Sequence, residues 1–252
     1  MFVLKYVKWI IFGLVLFSLI YSNYSIYKNN EDTLKAITSE DKNKVKISET
    51  WLGIKFPTVI TLGSSVTEGN GASSIDLSWA GLLNSYFLET NPDTTFINLG
   101  VGGYTTLDVR QNTLRIATNM EPDVIIFEDC LINDFKRGVT TSQSEENIEY
   151  IYNSLINKFP NIRVIIMPPN NMTLEKTKNL EGLTYEEYVI KVGEFIQSRG
   201  WEYIDFWNTY NKKLEQKGLS FNQSISADQT HPNNLGYSTW FNAIKNYFTK
   251  MQ

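Results

Sequence analysis

The chain of 252 residues has a formal net charge of −4, one histidine and one cysteine. This mild charge, with no basic stripe, argues against a nucleic-acid-binding protein, and one cysteine cannot form a disulfide within the chain. The sequence also has no cluster of cysteine and histidine residues that could hold zinc, so we expect no metal centre.

Residues 1–27 predict an N-terminal membrane anchor. The apolar stretch from Phe2 to Tyr21 has the length of about 20 residues that a membrane-spanning helix needs. Lys5 and Lys8 lie at its start and are expected to stay cytoplasmic, which directs the rest of the chain outward. The alternative is a secreted protein with a cleaved signal peptide, but no small-x-small cleavage pair follows the stretch.

Two further segments follow the anchor. Residues 28–55 are polar and predict a tether with little apolar surface to bury. From residue 56 to 252, short apolar runs alternate with stretches of helical periodicity. The runs predict five strands, at 58–62, 95–99, 123–127, 163–167 and 201–206. The periodic stretches predict helices at 79–88, 106–117, 145–159, 185–198 and 235–248.

This alternation predicts an α/β fold, a three-layer α/β/α sandwich around a five-stranded parallel sheet. Ligands bind beyond the carboxyl ends of such strands, so the residues that follow the strands are the candidates for a site. Ser64 and Ser65 follow the first strand on a glycine turn, Gly103 follows the second, and Asn133 follows the third. Each one alone is equally consistent with an ordinary turn or helix cap.

The only histidine, His231, lies three residues after Asp228. A carboxylate at that spacing can accept the imidazole Nδ1 proton, which leaves Nε2 free to face a nucleophile. An Asp cap beside a surface histidine is the plainer alternative. Near the third strand, Glu128 and Asp129 are expected to be structural, and Cys130 is expected to be a buried apolar group.

The segment from 57 to 250 resembles the SGNH hydrolases, the GDSL esterase and lipase family. Residues 63–67 read Gly-Ser-Ser-Val-Thr and match the first block of the family, except that Ser64 replaces its aspartate. Residues 98–103 match the second block, and the third matches at Asn133 and Asp134, with Leu131 in place of its glycine. Residues 228–237 match the last block, Asp-x-x-His-Pro-Asn-x-x-Gly-Tyr, in full.

The resemblance implies a flavodoxin-like SGNH fold and a serine esterase that needs no cofactor. Ser65 would be the nucleophile, His231 the base and Asp228 its orienting carboxylate. The oxyanion hole would consist of the Ser65 and Gly103 N–H groups and the Asn133 amide. We expect a monomeric catalytic domain that faces outward and acts on a small ester or on O-acylated envelope glycans or lipids. Acyl transfer to glycan hydroxyls and a non-catalytic binding module on the same fold are the alternatives.

Overall fold

The computed structural model describes residues 57–172 and 177–249. Its sheet has five parallel strands: β1 (Thr58–Gly63), β2 (Thr95–Gly100), β3 (Val124–Glu128), β4 (Arg163–Met167) and β5 (Glu202–Tyr203). Their order across the sheet is β2-β1-β3-β4-β5. The order reverses between β1 and β3, so the crevice at the carboxyl ends of these strands is the expected place for a ligand.

Eight helices within these residues join the strands. They are α1 (Ser65–Glu68), α2 (Trp79–Thr90), α3, α4 (Leu131–Lys136), α5 (Thr141–Lys158), α6 (Tyr185–Ser198), α7 (Trp207–Gln216) and α8 (Asn234–Thr249). Helix α3 is α-helical at Thr106–Asp108 and Leu114–Thr118, with a π-helical turn at Val109–Thr113 between them. Short 3₁₀ turns lie at Ile75–Leu77 and Phe221–Ser224.

Side chains alternate between the two faces of the central strands and build one apolar core on each face. Ile125 and Phe127 of β3 pack with α3, α5 and α6, whereas Val124 and Ile126 pack with α2, α7 and α8. Parallel strands buried on both faces produce continuous apolar runs, which is why the sequence identified them. The prediction of a five-stranded parallel sheet flanked by helices is confirmed.

The largest local differences from the predictions occur at three places. Strand β5 has two residues instead of six, because it is an edge strand paired only with β4 before the chain turns into α7. Helix α5 begins four residues before the predicted start of 145, because Thr140 and Gln143 form a reciprocal capping box. Asn133, which the sequence placed in a loop, lies in the first turn of α4.

The predicted anchor and tether lie outside the residues that the structure describes. Within residues 57–172 and 177–249, no helix is both long and apolar enough to cross a bilayer.

Candidate active site

Ser65 lies directly beyond the carboxyl end of β1 and is the first residue of α1. Its side chain is 6% exposed, and its Oγ atom is 2.8 Å from His231 Nε2. Because Ser65 opens the helix, its N–H group has no acceptor within α1 and is available to a ligand. The turn therefore presents a hydroxyl and a backbone donor at the same point.

A compact turn brings Asp228 and His231 together. An antiparallel bridge between Ile225 and Pro232 closes this turn, and Ser226 N–H donates to the His231 carbonyl. His231 Nδ1 lies 2.5 Å from Asp228 Oδ2. The Asp228 carboxylate thus holds the imidazole at Nδ1, while Nε2 faces Ser65.

The Asp228 carboxylate is held in its charged form. Burial raises the pKa of this carboxyl, but hydrogen bonds from the His231 ring and backbone, Ser226 Oγ and Thr230 N–H outweigh burial and leave the pKa well below its usual range. An ionised carboxylate on Nδ1 favours the tautomer in which Nε2 can accept a proton. The arrangement can therefore take a proton from Ser65 Oγ and stabilise the resulting imidazolium.

Asn133 approaches the same point from α4. One hydrogen of its side-chain amide is donated to the Tyr104 carbonyl, at 2.9 Å. An amide nitrogen carries two hydrogens, so the second remains for a ligand in the cleft that Asn133 lines. The contact with Tyr104 also fixes the orientation of the amide, which a donor to a developing charge needs.

Gly103 has a φ of +76°, in the left-handed region that favours glycine. Its carbonyl accepts a hydrogen bond of 2.8 Å from the Arg137 guanidinium, which also contacts Asp108 at 3.4 Å. Arg137 follows Asn133 by one turn of helix, so a single helix braces both the Gly103 loop and the Asn133 amide. Gly103 lines the same cleft as Ser65.

All five predicted site residues line one open cleft of about 290 Å³. Gly102 and three residues that sequence reasoning missed, Asn70, Lys136 and Thr230, also line the cleft. Lys136 donates to Thr230 Oγ1 at 3.0 Å, and burial lowers the pKa of its ammonium group while Asp228 raises it. Helical spacing could have found Lys136, since it lies three residues after Asn133, whereas Asn70 carries no signal beyond its glycine neighbours.

The acidic residues at the end of β3 and just after it stay out of the cleft. Glu128 and Asp129 are fully buried, and Cys130 is buried as expected. Burial raises the pKa of the Cys130 thiol well above its usual range, so it is not a nucleophile at neutral pH. Asp134 is also buried, and its carboxylate accepts hydrogen bonds from Thr106 N–H, Thr106 Oγ1 and Ser144 Oγ, which tie α4 to α3 and α5.

Leu131 and Ser64 are the two residues that depart from the family blocks, and the structure shows where each of them lies. Leu131 has helical backbone as the first residue of α4, and the left-handed residue is its neighbour Cys130, with a φ of +59°. A side chain at position 131 therefore adds no backbone strain. Ser64 is fully buried and points away from the cleft, with its Oγ 2.9 Å from Glu128 Oε2.

The described residues contain no group of three or more His, Cys, Asp or Glu side chains that could hold a metal ion. The polar side-chain groups of the cleft are hydroxyl, amide, imidazole and ammonium groups and a single carboxylate, that of Asp228. This set is suited to proton transfer and to binding a developing oxyanion.

The family model of the GDSL-like lipases and acylhydrolases matches residues 61–238, well over half of the chain. The chain belongs to the GDSL-like lipase/acylhydrolase family. The match runs from β1 into α8 and so includes every residue of the cleft. A comparison with curated proteins returned no match.

Solved structures of GDSL-type proteins and esterases share the fold at low sequence identity. A putative GDSL-like lipase from Parabacteroides merdae superposes with a TM-score of 0.64 at 16% identity, over 79% of this chain and 97% of its own. The esterase EstA from Pseudoalteromonas sp. gives 0.58 at 17% identity, over 77% and 97%. A two-domain esterase active on acetylated mannans gives 0.61 at 20% identity, over 77% of this chain and 49% of its own length. This chain therefore corresponds to about half of that two-domain enzyme.

Proposed function

We propose that this GDSL-family chain is a serine esterase that removes O-acyl groups through Ser65, His231 and Asp228. The observation that carries the proposal is the contact of 2.8 Å between Ser65 Oγ and His231 Nε2, with Asp228 on the opposite ring nitrogen. A serine that only capped a helix, or a histidine that only lay at the surface, would not need to make that contact. The family match supports ester hydrolysis independently of these distances.

The reaction proceeds through an acyl-enzyme. Ser65 Oγ attacks the ester carbonyl carbon while its proton passes to His231 Nε2, and the imidazolium then protonates the departing alcohol. Water then attacks the acyl-enzyme while its proton passes to the same nitrogen, and the imidazolium returns that proton to Ser65 Oγ as the acid is released. The Ser65 and Gly103 N–H groups and the Asn133 amide stabilise the oxyanion in both halves.

A direct test uses a fluorophosphonate, which reacts with an activated serine. The purified chain should hydrolyse p-nitrophenyl acetate, and the probe should label one serine per molecule at the peptide that contains Ser65. If the chain neither turns over the ester nor takes up the label, it is a binding module on this fold. Transfer to a glycan hydroxyl uses the same residues, and acyl groups appearing on an added glycan alcohol would reveal it.

The cleft favours a small acyl group. Its lining consists of polar side chains and glycines, with no large apolar side chain among the described residues to shelter an alkyl tail. We expect the ratio kcat/KM to fall by about tenfold or more from p-nitrophenyl acetate to the octanoate, because a long chain would keep its apolar surface in water. Steady-state kinetics on the ester series measures this, and equal or rising values would contradict an acetyl-sized site.

An O-acetylated glycan is the substrate class that fits this cleft and an outward-facing enzyme. Sugars present many hydroxyl groups, and the open polar cleft offers side-chain partners for them in Asn70, Lys136 and Thr230. The fold similarity to an esterase active on acetylated mannans agrees with this class. Release of acetate from an acetylated polysaccharide, compared with release from triacetin, measures the preference.

Asn133→Ala should lower kcat while KM changes little, because the amide acts on the oxyanion and barely touches the ground state. Loss of one such donor typically costs about 10²–10³ in kcat. Lys158→Ala serves as the control, since Lys158 ends α5 and does not line the cleft. A folded Asn133→Ala protein with wild-type kcat would show that Asn133 is not a donor.

The localisation proposal rests on the sequence of residues 1–27. We expect the full chain to sediment with membranes and to be digested by protease added outside intact cells, because the lysines precede the apolar stretch. Edman sequencing of the purified protein separates the alternatives: an intact N-terminus supports an anchor, and a mature protein that begins near Ser25 supports secretion.

A further inference from the structure

Glu128 is a buried carboxylate directly beneath the turn that carries Ser65. Its side chain is fully buried at the end of β3, next to the carboxyl end of β1. No ion pair to Glu128 occurs within residues 57–172 and 177–249. A carboxylate that is buried without a cation is costly unless hydrogen bonds satisfy its oxygens, so its position requires an explanation.

Four hydrogen bonds offset part of that cost, although burial still raises the pKa of the Glu128 carboxyl above its usual value. Oε2 accepts from Ser64 N–H at 2.7 Å, from Ser64 Oγ at 2.9 Å and from Thr67 Oγ1 at 3.0 Å. Oε1 accepts from Cys130 N–H at 2.9 Å. One carboxylate thus connects the Ser65 turn with the residue from which α4 begins.

These contacts involve the two segments that carry the proposed oxyanion-hole donors Ser65 and Asn133. Ser64 is the residue directly before the nucleophile, its N–H is bonded to Glu128, and its carbonyl accepts the first hydrogen bonds of α1. Cys130 is the left-handed residue at the start of α4, which carries Asn133. The Glu128 carboxylate therefore fixes the donor at Ser65 relative to the donor at Asn133.

The packing around Gly63 leaves no room for a side chain there. A Cβ atom at Gly63 would lie 2.6 Å from Glu128 Oε2 and 2.1 Å from Thr67 Oγ1, so only glycine lets the backbone pass so close. The first block of the family has an aspartate where this chain has Ser64, and here the carboxylate comes from the neighbouring strand instead.

We infer that Glu128 is a positioning residue, whose carboxylate replaces the missing acidic group at position 64 and holds the Ser65 turn and the Asn133 helix in register. The inference rests on the proposed esterase mechanism. Glu128 is fully buried and does not line the cleft, so it acts on the rate only through the two donors that it aligns.

Glu128→Gln is the decisive substitution, since it keeps the shape and removes one acceptor. A glutamine has a single amide oxygen, so its NH₂ group must face either the Ser64 and Thr67 donors or Cys130 N–H. We expect kcat and the rate of fluorophosphonate labelling to fall together by about 10²-fold, the scale of a 1 Å misplacement, with KM within about twofold of wild type. A folded Glu128→Gln protein with wild-type kcat would overturn the inference.

A double variant separates positioning from a purely structural role. Ser64→Asp combined with Glu128→Ser moves the carboxylate to the position where the family has it and nearly conserves the side-chain volume. We expect the double variant to be more active than Glu128→Gln, although two core residues have changed. If Glu128 only supported the fold, two substitutions would be worse than one, and a folded double variant that is less active than Glu128→Gln would count against the inference.

Thr67→Val covers the case in which Glu128→Gln does not fold, because it removes one donor to the carboxylate at nearly constant volume. Its control is Thr90→Val, which loses a hydroxyl bonded to the Tyr86 carbonyl at the far end of α2. At matched melting temperatures, a lower kcat in Thr67→Val alone supports the inference, and equal kcat values overturn it. Labelling of the wild-type chain at Ser65 tests the esterase proposal separately from all of these variants.

Discussion

Ser65→Ala should abolish both ester hydrolysis and labelling by a fluorophosphonate. The methyl side chain cannot form the acyl-enzyme, and no other serine has its Oγ against His231 Nε2 among the described residues. Removing a nucleophile of this kind leaves only the residual rate enhancement due to the oxyanion hole and substrate binding, so we expect kcat to fall by about 10⁶. Turnover of p-nitrophenyl acetate and mass spectrometry of the labelled protein measure the two effects.

Ser85→Ala is the matched control for that substitution. Ser85 is exposed on α2, and within the described residues its hydroxyl bonds only the Gly81 carbonyl, so the variant should keep wild-type kcat and full labelling. The site of labelling also tests whether Ser65 or its neighbour Ser64 is the nucleophile. Its Oγ is buried against Glu128, so a label found on Ser64 would show that the alignment of the turn is wrong by one residue.

The strands were predictable because burial on both faces leaves an unbroken apolar run. Val124 to Phe127 is such a run, and the structure buries all four side chains. Helix α4 was not predictable on the same grounds, because six residues are too few for a clear helical period. It exists because the Asp134 carboxylate ties it to Thr106 and Ser144, residues that are distant in the sequence.

In the candidate site, too, some residues could be predicted from the sequence and others could not. Asp228 and His231 were found because both lie in one short turn, where spacing alone lets the side chains meet. The functional importance proposed for Glu128 has no local signal, since its partners Ser64 and Thr67 lie in the turn and helix that follow β1 and reach it only through the pairing of β1 with β3. Residues 1–55 lie outside the described part of the chain, so the anchor and tether stay predictions.

Asp228→Asn should lower kcat by about 10⁴ while leaving the protein folded. The side chain keeps its shape, but an amide nitrogen placed at Oδ2 would face the Nδ1 hydrogen of His231, which favours the wrong tautomer and puts a hydrogen on Nε2. The neutral amide also cannot stabilise the imidazolium that forms when Ser65 loses its proton. Steady-state kinetics of the purified variant, with its melting temperature, measures the effect.

The pH dependence gives this substitution a second readout. The hydrogen bonds to Asp228 keep its pKa well below the usual range, so in the wild type this carboxylate stays charged in mild acid, and its contribution disappears only when the pH falls far enough to protonate it. Asp228→Asn removes that charge at every pH. A loss of kcat that persists from neutral pH into mild acid therefore supports the role of Asp228, whereas a folded variant with wild-type kcat would show that His231 needs no carboxylate and would remove Asp228 from the mechanism.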